Sequence, residues 1–152
     1  MPDLPASHRL RIGRYAQPNG IYLLTTNTLD REPVFMDFHV GRLIVDQFRA
    51  AQDQGWANSL AWVVMPDHFH WLIELQQNSL GELMQKTKSL STRAINASTG
   101  RKGSLWQRGY HDRALRREED LVKLARYVVA NPLRAGLVEK IGDYPLWDAV
   151  WV

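Results

Sequence analysis

Cysteine is absent from all 152 residues of the sequence. A disulfide scaffold, a zinc ribbon and a cysteine nucleophile are excluded at once, and any metal must sit on histidine, oxygen or amide ligands. Long apolar runs are missing too. No uninterrupted stretch approaches the ~20 residues that a membrane-crossing helix needs, and the start, Met-Pro-Asp-Leu-Pro-Ala-Ser-His-Arg, has no apolar signal core. The expectation is a soluble cytoplasmic protein with no membrane partner. Apolar residues make up 45 % and charged residues 23 %, which rules out a collagen-like or disordered chain. At this length the chain fits one compact domain, because two would leave each core poorly filled.

The net charge of +3 says little; its distribution says more. Residues 1–55 carry six basic and six acidic side chains, and residues 56–78 carry none and two. Residues 79–118 carry nine and three, a local +6, and residues 119–152 carry four and five. Basic charge is therefore focused in one 40-residue stretch, the footprint expected for a polyanion partner. A solvated helix face followed by an arginine-rich loop would give the same pattern.

Residues 1–18 lack periodicity and read as an N-terminal arm, leaving 19–152 as a single domain. Gly20 to Leu29 is β-branched and aromatic, and reads as a strand broken by Asp30-Arg31-Glu32-Pro33. Apolar residues at Val40, Leu43, Ile44, Phe48 and Ala51 predict a helix over 38–54, stopped by Gly55. Trp56–Met65 and His68–Leu75 are separated only by Pro66-Asp67, so they predict an antiparallel hairpin. Ser79 followed by Glu82 is a capping box opening a helix, with Leu80, Leu83, Met84, Thr87, Leu90, Ala94 and Ile95 on one face. Lys86, Lys88, Ser89, Thr92 and Arg93 lie opposite. After a basic loop at 98–103, Leu105 to Leu115 predicts a strand. Glu118, Glu119 and Asp120 then favour the start of a helix whose core face is Leu121, Leu124, Ala125 and Val128. The order β, α, β, β, α, β, α suggests an α+β fold: a ferredoxin-like antiparallel sheet with helices packed on one face. The tail after Gly142, with Trp147 and Trp151, is expected to pack onto the body.

The densest chemical signal is Met65-Pro66-Asp67-His68-Phe69-His70-Trp71-Leu72-Ile73-Glu74. Residues two apart in a strand share a face. His68 and His70 thus project side by side, while Phe69, Trp71, Ile73 and Leu75 take the opposite, apolar face. Two imidazoles so placed can chelate a divalent ion, although an arbitrary His-x-His pair can equally be two histidines on a polar strand face. A second signal lies in the last helix. Tyr127 and Asn131 are four apart and share one stripe, and Pro132 ends the helix about there. On their own these are an ordinary tyrosine and a helix-ending asparagine.

Taken together, these blocks resemble the HUH single-tyrosine transposases and, within them, the REP-associated tyrosine transposases. The matching residues are Thr25-Thr26-Asn27, Arg31-Glu32-Pro33-Val34-Phe35, Trp62 to His70, Leu105-Trp106-Gln107 and Tyr127 to Val138. They run from about residue 14 to the end, in the family's order. The resemblance implies a metal-dependent single-stranded DNA endonuclease and strand transferase acting on REP hairpins. Tyr127 would be the nucleophile, forming a 5′-phosphotyrosine, and His68, His70 and Asn131 would hold Mg²⁺ or Mn²⁺. Asn131 stands where related insertion-sequence transposases carry Gln, a departure that REP-associated sequences share. The partner implied is single-stranded or hairpin DNA, the site of action the nucleoid, and the assembly a monomer or a homodimer. Lys86, Lys88, Arg93, Arg101, Lys102, Arg108 and Arg113 would line the DNA backbone, joined by Arg14 from the arm. Trp106 and Tyr110 could stack on bases, with core packing the alternative for Trp106.

Three rivals stand beside this reading, and one of them, a purely structural module, explains neither the charge focus nor the histidines. A hairpin-binding protein could keep the scaffold without catalysis. A two-histidine phosphoesterase would need two His-x-Ser/Thr motifs, and none of the chain's histidines lies in one.

Overall fold

The computed structural model describes residues 20–116 and 121–150. Five strands form one antiparallel sheet: β1 (Ile21–Asn27), β2 (Ala57–Met65), β3 (His68–Leu75), β4 (His111–Leu115) and β5 (Trp147–Ala149), in the order β4-β1-β3-β2-β5. With β5 set aside, strand order 4-1-3-2 is the ferredoxin-like arrangement read from the sequence. Helices α1 (Phe38–Asp53) and α2 (Leu80–Thr99) connect the strands. Asp37 caps α1 by accepting from the His39 amide, and Gly55, at φ 77°, takes the left-handed turn that ends it. The capping box opening α2 is present, with Ser79 and Glu82 bonded reciprocally.

Both long helices cover the face that carries Phe69, Trp71 and Ile73. Phe48 of α1 sits 4.5 Å from the Trp71 ring and 5.1 Å from that of Phe69, and the Trp71 indole donates to Ser59. Helix α3 (Leu121–Val129) takes the opposite face, which the expected one-sided packing of helices did not include. The cause is visible in the register. The face that bears His68 and His70 continues into Leu72, Ile21, Ala61 and Leu115, and this apolar half needs a cover. Ala125 and Val129 supply it.

Two other readings change. The strand expected from Leu105 begins only at His111. Leu105 and Trp106 are instead buried plugs: the Trp106 indole donates to Ser91 of α2 and its backbone bridges to Thr28. Trp106 therefore belongs to the core. Pro132 does not simply end the last helix. Helix α3 stops at Val129, Ala130 forms a kink (φ −83°, ψ 0°), and a short α4 (Asn131–Arg134) restarts with proline in its first turn, where a missing N–H costs nothing. The tail does pack onto the body: Tyr144 and Leu146 are buried and the Tyr144 hydroxyl donates to the Val64 carbonyl. The arm at 1–18, Arg14 within it, the acidic start at 118–120 and Trp151 lie outside the described residues.

Candidate active site

The site is built at the turn end of the β2–β3 hairpin. Strand alternation sends His68 and His70 to the α3 face, their ring centres 5.0 Å apart and the planes at 81°. Each ring is held from behind. Asp67 accepts from His68 Nδ1 at 2.7 Å, and the same carboxylate takes the Arg31 guanidinium at 3.0 Å. His70 Nδ1 lies 2.8 Å from the Thr25 hydroxyl, on the strand directly opposite. Arg31 reaches Asp67 from a tight turn in which Asp30 and Arg31 both have positive φ, 57° and 54°. Such backbone is costly for residues other than glycine and persists where its surroundings hold it.

The electrostatics are set by these contacts. Burial lowers the pKa of His70 to about 4, assisted by the charges of His68 and Arg134, so its imidazole is neutral at physiological pH. For Asp67, burial works upward, but the bonds to His68 and Arg31 outweigh it and hold the carboxyl below its usual range. With both Nδ1 atoms occupied inside the protein, Nε2 is the ring nitrogen each histidine can offer outside it.

Tyr127 stands on α3 with 60 % of its surface exposed. The Arg134 guanidinium lies over its ring, 3.7 Å from the centre, and the same charge acts on His70. The helix that carries Tyr127 packs on the sheet face that bears the two histidines. Asn131 opens α4, one turn before Arg134; its Nδ2 donates to the Val128 carbonyl at 3.1 Å, which leaves Oδ1 as the amide's lone-pair atom. Among the described residues no three of His, Cys, Asp and Glu are grouped so that they could by themselves hold a metal ion. A metal here would rest on two imidazoles and an amide oxygen. By its chemistry that donor set suits a borderline or hard divalent ion with positions left for substrate oxygens.

The basic candidates do not behave alike. Arg93, Lys102 and Arg108 are exposed. Arg113 is exposed on β4 opposite Leu23, which places it on the histidine face. Lys88 is turned inward, its ammonium bonded to the Gln107 and Gly109 carbonyls at 2.8 and 2.6 Å, and burial lowers its pKa. Arg101 pairs with Glu32 at 2.6 Å and with the Ser104 carbonyl. Lys86 sits over Trp56, which precedes β2 at the end of the hairpin away from His68.

Sequence reasoning missed four participants. Asp67 lay inside the quoted motif, and its position next to His68 was the available signal. Thr25 and His111 are neighbours only through β1: Thr25 faces both His70 and His111, so a third histidine shares the face. Arg134 returns to Tyr127 only because the chain kinks at Ala130.

Comparison with known proteins gives the chain a family. A protein of Haemophilus influenzae named for the REP-associated tyrosine transposases is 26 % identical over 141 residues, covering 83 % of this chain and 77 % of that one. The REP-associated tyrosine transposase of Escherichia coli is 23 % identical over 134 residues, covering 87 % and 78 %. A solved structure of a REP-associated tyrosine transposase bound to a REP hairpin superimposes with a TM-score of 0.73 at 23 % identity, over 88 % of this chain and 79 % of that one, and so shares the fold. The family model described as "Transposase IS200 like" matches residues 18–131, a span that holds the histidine pair, Tyr127 and Asn131: the chain belongs to the IS200-like transposases.

Proposed function

We propose that this protein nicks and rejoins single-stranded DNA beside REP-type hairpins, with Tyr127 as nucleophile and a divalent ion, Mg²⁺ or Mn²⁺, on His68, His70 and Asn131. The observation that carries the reading is the pair of adjacent imidazoles, each tied at Nδ1 and with Nε2 left to offer, on the sheet face against which the helix of the exposed Tyr127 packs. The substrate class is taken from the relatives named REP-associated, one of them solved bound to a REP hairpin.

The chemistry follows from these residues. The Tyr127 oxygen attacks the phosphorus of one phosphodiester. An O–P bond forms to the phenol as the bond to the 3′ oxygen of the departing strand breaks, and that oxygen gains the proton the phenol loses. The products are a 5′-phosphotyrosine and a free 3′-hydroxyl, and the step is redox-neutral. A phenolate leaves well, so the reverse attack by a 3′-hydroxyl rejoins strands. When bound, the divalent ion supplies Lewis acidity and orients the non-bridging phosphate oxygens. Asp67 holds the His68 imidazole in one tautomer and orientation, and Thr25 holds the orientation of His70.

The test uses hairpin oligonucleotides from palindromes adjoining the protein's own gene, with Mn²⁺, resolved by denaturing electrophoresis. A covalent protein–DNA band is expected from the parent and none from Tyr127→Phe, which removes one exposed oxygen and should still bind the hairpin. Nicking by Tyr127→Phe at the parental position would make water or another tyrosine the nucleophile. Binding by the parent with no band under any metal favours the non-catalytic hairpin binder.

A further inference from the structure

Seven residues beyond Tyr127 the chain comes back to it. The kink at Ala130 and the proline-started turn of α4 carry Arg134 over the phenol, at 3.7 Å from guanidinium carbon to ring centre. The arginine is exposed, and the residue that α4 buries is Pro132. Among the described residues no carboxylate pairs with it. A cation stacked on the ring of the proposed nucleophile, beside a helix that packs on the sheet face bearing the histidines, stands where a phosphodiester would have to approach the phenol.

We propose that Arg134 parks the Tyr127 ring in the DNA-free protein and, when the scissile phosphate arrives, leaves the ring face to bind that phosphate's non-bridging oxygens. This rests on Tyr127 being the nucleophile, as argued above. The guanidinium is suited to both tasks. Its plane stacks on an aromatic face, and its fork matches two oxygens of a phosphate. The phosphate outcompetes the ring because a charge-assisted bidentate contact is stronger than an exposed cation–π contact. The exchange frees the phenol as it draws the phosphorus toward it. During attack, Arg134 neutralises charge on the oxygens that remain on phosphorus. A lysine would keep the charge and lose both the stack and the fork.

The experiment uses the full chain, the same gene-adjacent hairpin oligonucleotides and Mn²⁺. It measures the rate of covalent-adduct formation at saturating DNA and, separately, the dissociation constant by fluorescence anisotropy. Arg134→Ala should lower the saturated rate about 10²-fold while weakening binding less than about threefold, as befits one phosphate contact among several. Arg134→Lys should fall between. A second readout needs no metal and no turnover. In protein labelled with 3-fluorotyrosine, adding hairpin should shift the Tyr127 fluorine signal of the parent, because the ring loses its guanidinium. In Arg134→Ala the signal should start displaced and stay there. An Arg134→Ala variant that reacts at the parental saturated rate, or loses rate only in proportion to affinity, overturns the proposal. So does a parental fluorine signal that hairpin leaves unmoved. The Tyr127→Phe control separates the two levels: a variant that still forms adduct overturns the nucleophile assignment, whereas an inert one beside a fully active Arg134→Ala overturns only the role of Arg134.

Discussion

The two faces of the sheet are built from alternate residues of the same strands, yet they differ in kind. One face is sealed. Phe69, Trp71 and Ile73 meet α1 and α2 across a core in which Phe35, Phe48, Leu83 and Met84 are also fully enclosed. The other face is half covered. The nine-residue α3 closes over Leu72, Ile21 and Ala61 and leaves the end of β3 with His68, His70 and the Tyr127 phenol within reach of solvent. A strand with a period of two can therefore hold stability on one side and chemistry on the other. Neighbours in sequence, such as His70 and Trp71, should fail in different ways when replaced.

The largest expected effect on stability tests the sealed face. Trp71→Ala would open a cavity beside Phe48 and leave the Ser59 hydroxyl without its indole donor. It should cost about 3–5 kcal/mol in urea unfolding. His68→Ala, three residues earlier, should shift stability by less than about 1 kcal/mol and still lose nicking altogether. Equal destabilisation by the two would erase the distinction between the faces.

Acid should attack the open face next. The folded-state pKa of His70 is lowered to about 4 from an ordinary 6.5. Below pH 6.5 the unfolded chain binds a proton that the folded chain refuses, so this residue's contribution is complete above pH 6.5. It is lost as pH falls toward 4 and reaches roughly 3 kcal/mol at its fullest. In metal-free buffer, melting temperature should drop through that window, and His70→Leu should flatten the drop. A His70→Leu protein with the parental acid limb would show that other groups carry it.

How much of this was legible is instructive by region. The β2–β3 hairpin, the histidine pair and the capping box were readable because each is a local pattern: alternation, a two-residue turn, a three-residue spacing. Residues 105–110 were misread because Trp106 looks like a strand residue until Ser91 and Thr28, 15 and 78 positions away, give it a buried seat. The shared face of His70, Thr25 and His111 was invisible for the same reason, since register across β1 is a property of pairing. Net charge located the basic stretch but could not tell an exposed arginine from Lys88, whose ammonium is spent on two backbone carbonyls.

A smaller effect probes what stands behind the histidines. Asp67→Ala keeps both imidazoles but removes the acceptor at His68 Nδ1 and strands Arg31. Loss of such an outer partner typically lowers metal affinity or activity 10–100-fold. Mn²⁺ affinity and adduct rate should both fall within that range. Asp67→Asn, whose amide oxygen can still accept from Nδ1, should recover most of the loss. No recovery by Asp67→Asn would mean that the negative charge, and not the orientation, is what His68 requires.

The smallest effect concerns the approach of DNA, and here the structure redirects the choice of residues. Sequence alone would pick Lys86, Arg93 and Arg101 as the triple to replace. Lys86 lies over Trp56 away from the histidines, and Arg101 is paired with Glu32, so neutralising them would disturb packing and an ion pair as well as any DNA contact. Arg93, Lys102 and Arg108 are exposed and offer a cleaner test. Each single-strand phosphate contact contributes about −0.7 to the slope of log K against log salt. If all three meet backbone phosphates, Arg93→Gln/Lys102→Gln/Arg108→Gln should make the slope shallower by about 2 and lower affinity severalfold at moderate salt, with the adduct rate at saturating DNA unchanged. Anisotropy titrations across a salt series would read both numbers. An unaltered slope in the triple variant would remove these side chains from the DNA path. The focused charge of residues 79–118 would then act at the histidine face through Arg113, or serve the fold alone, as Lys88 does.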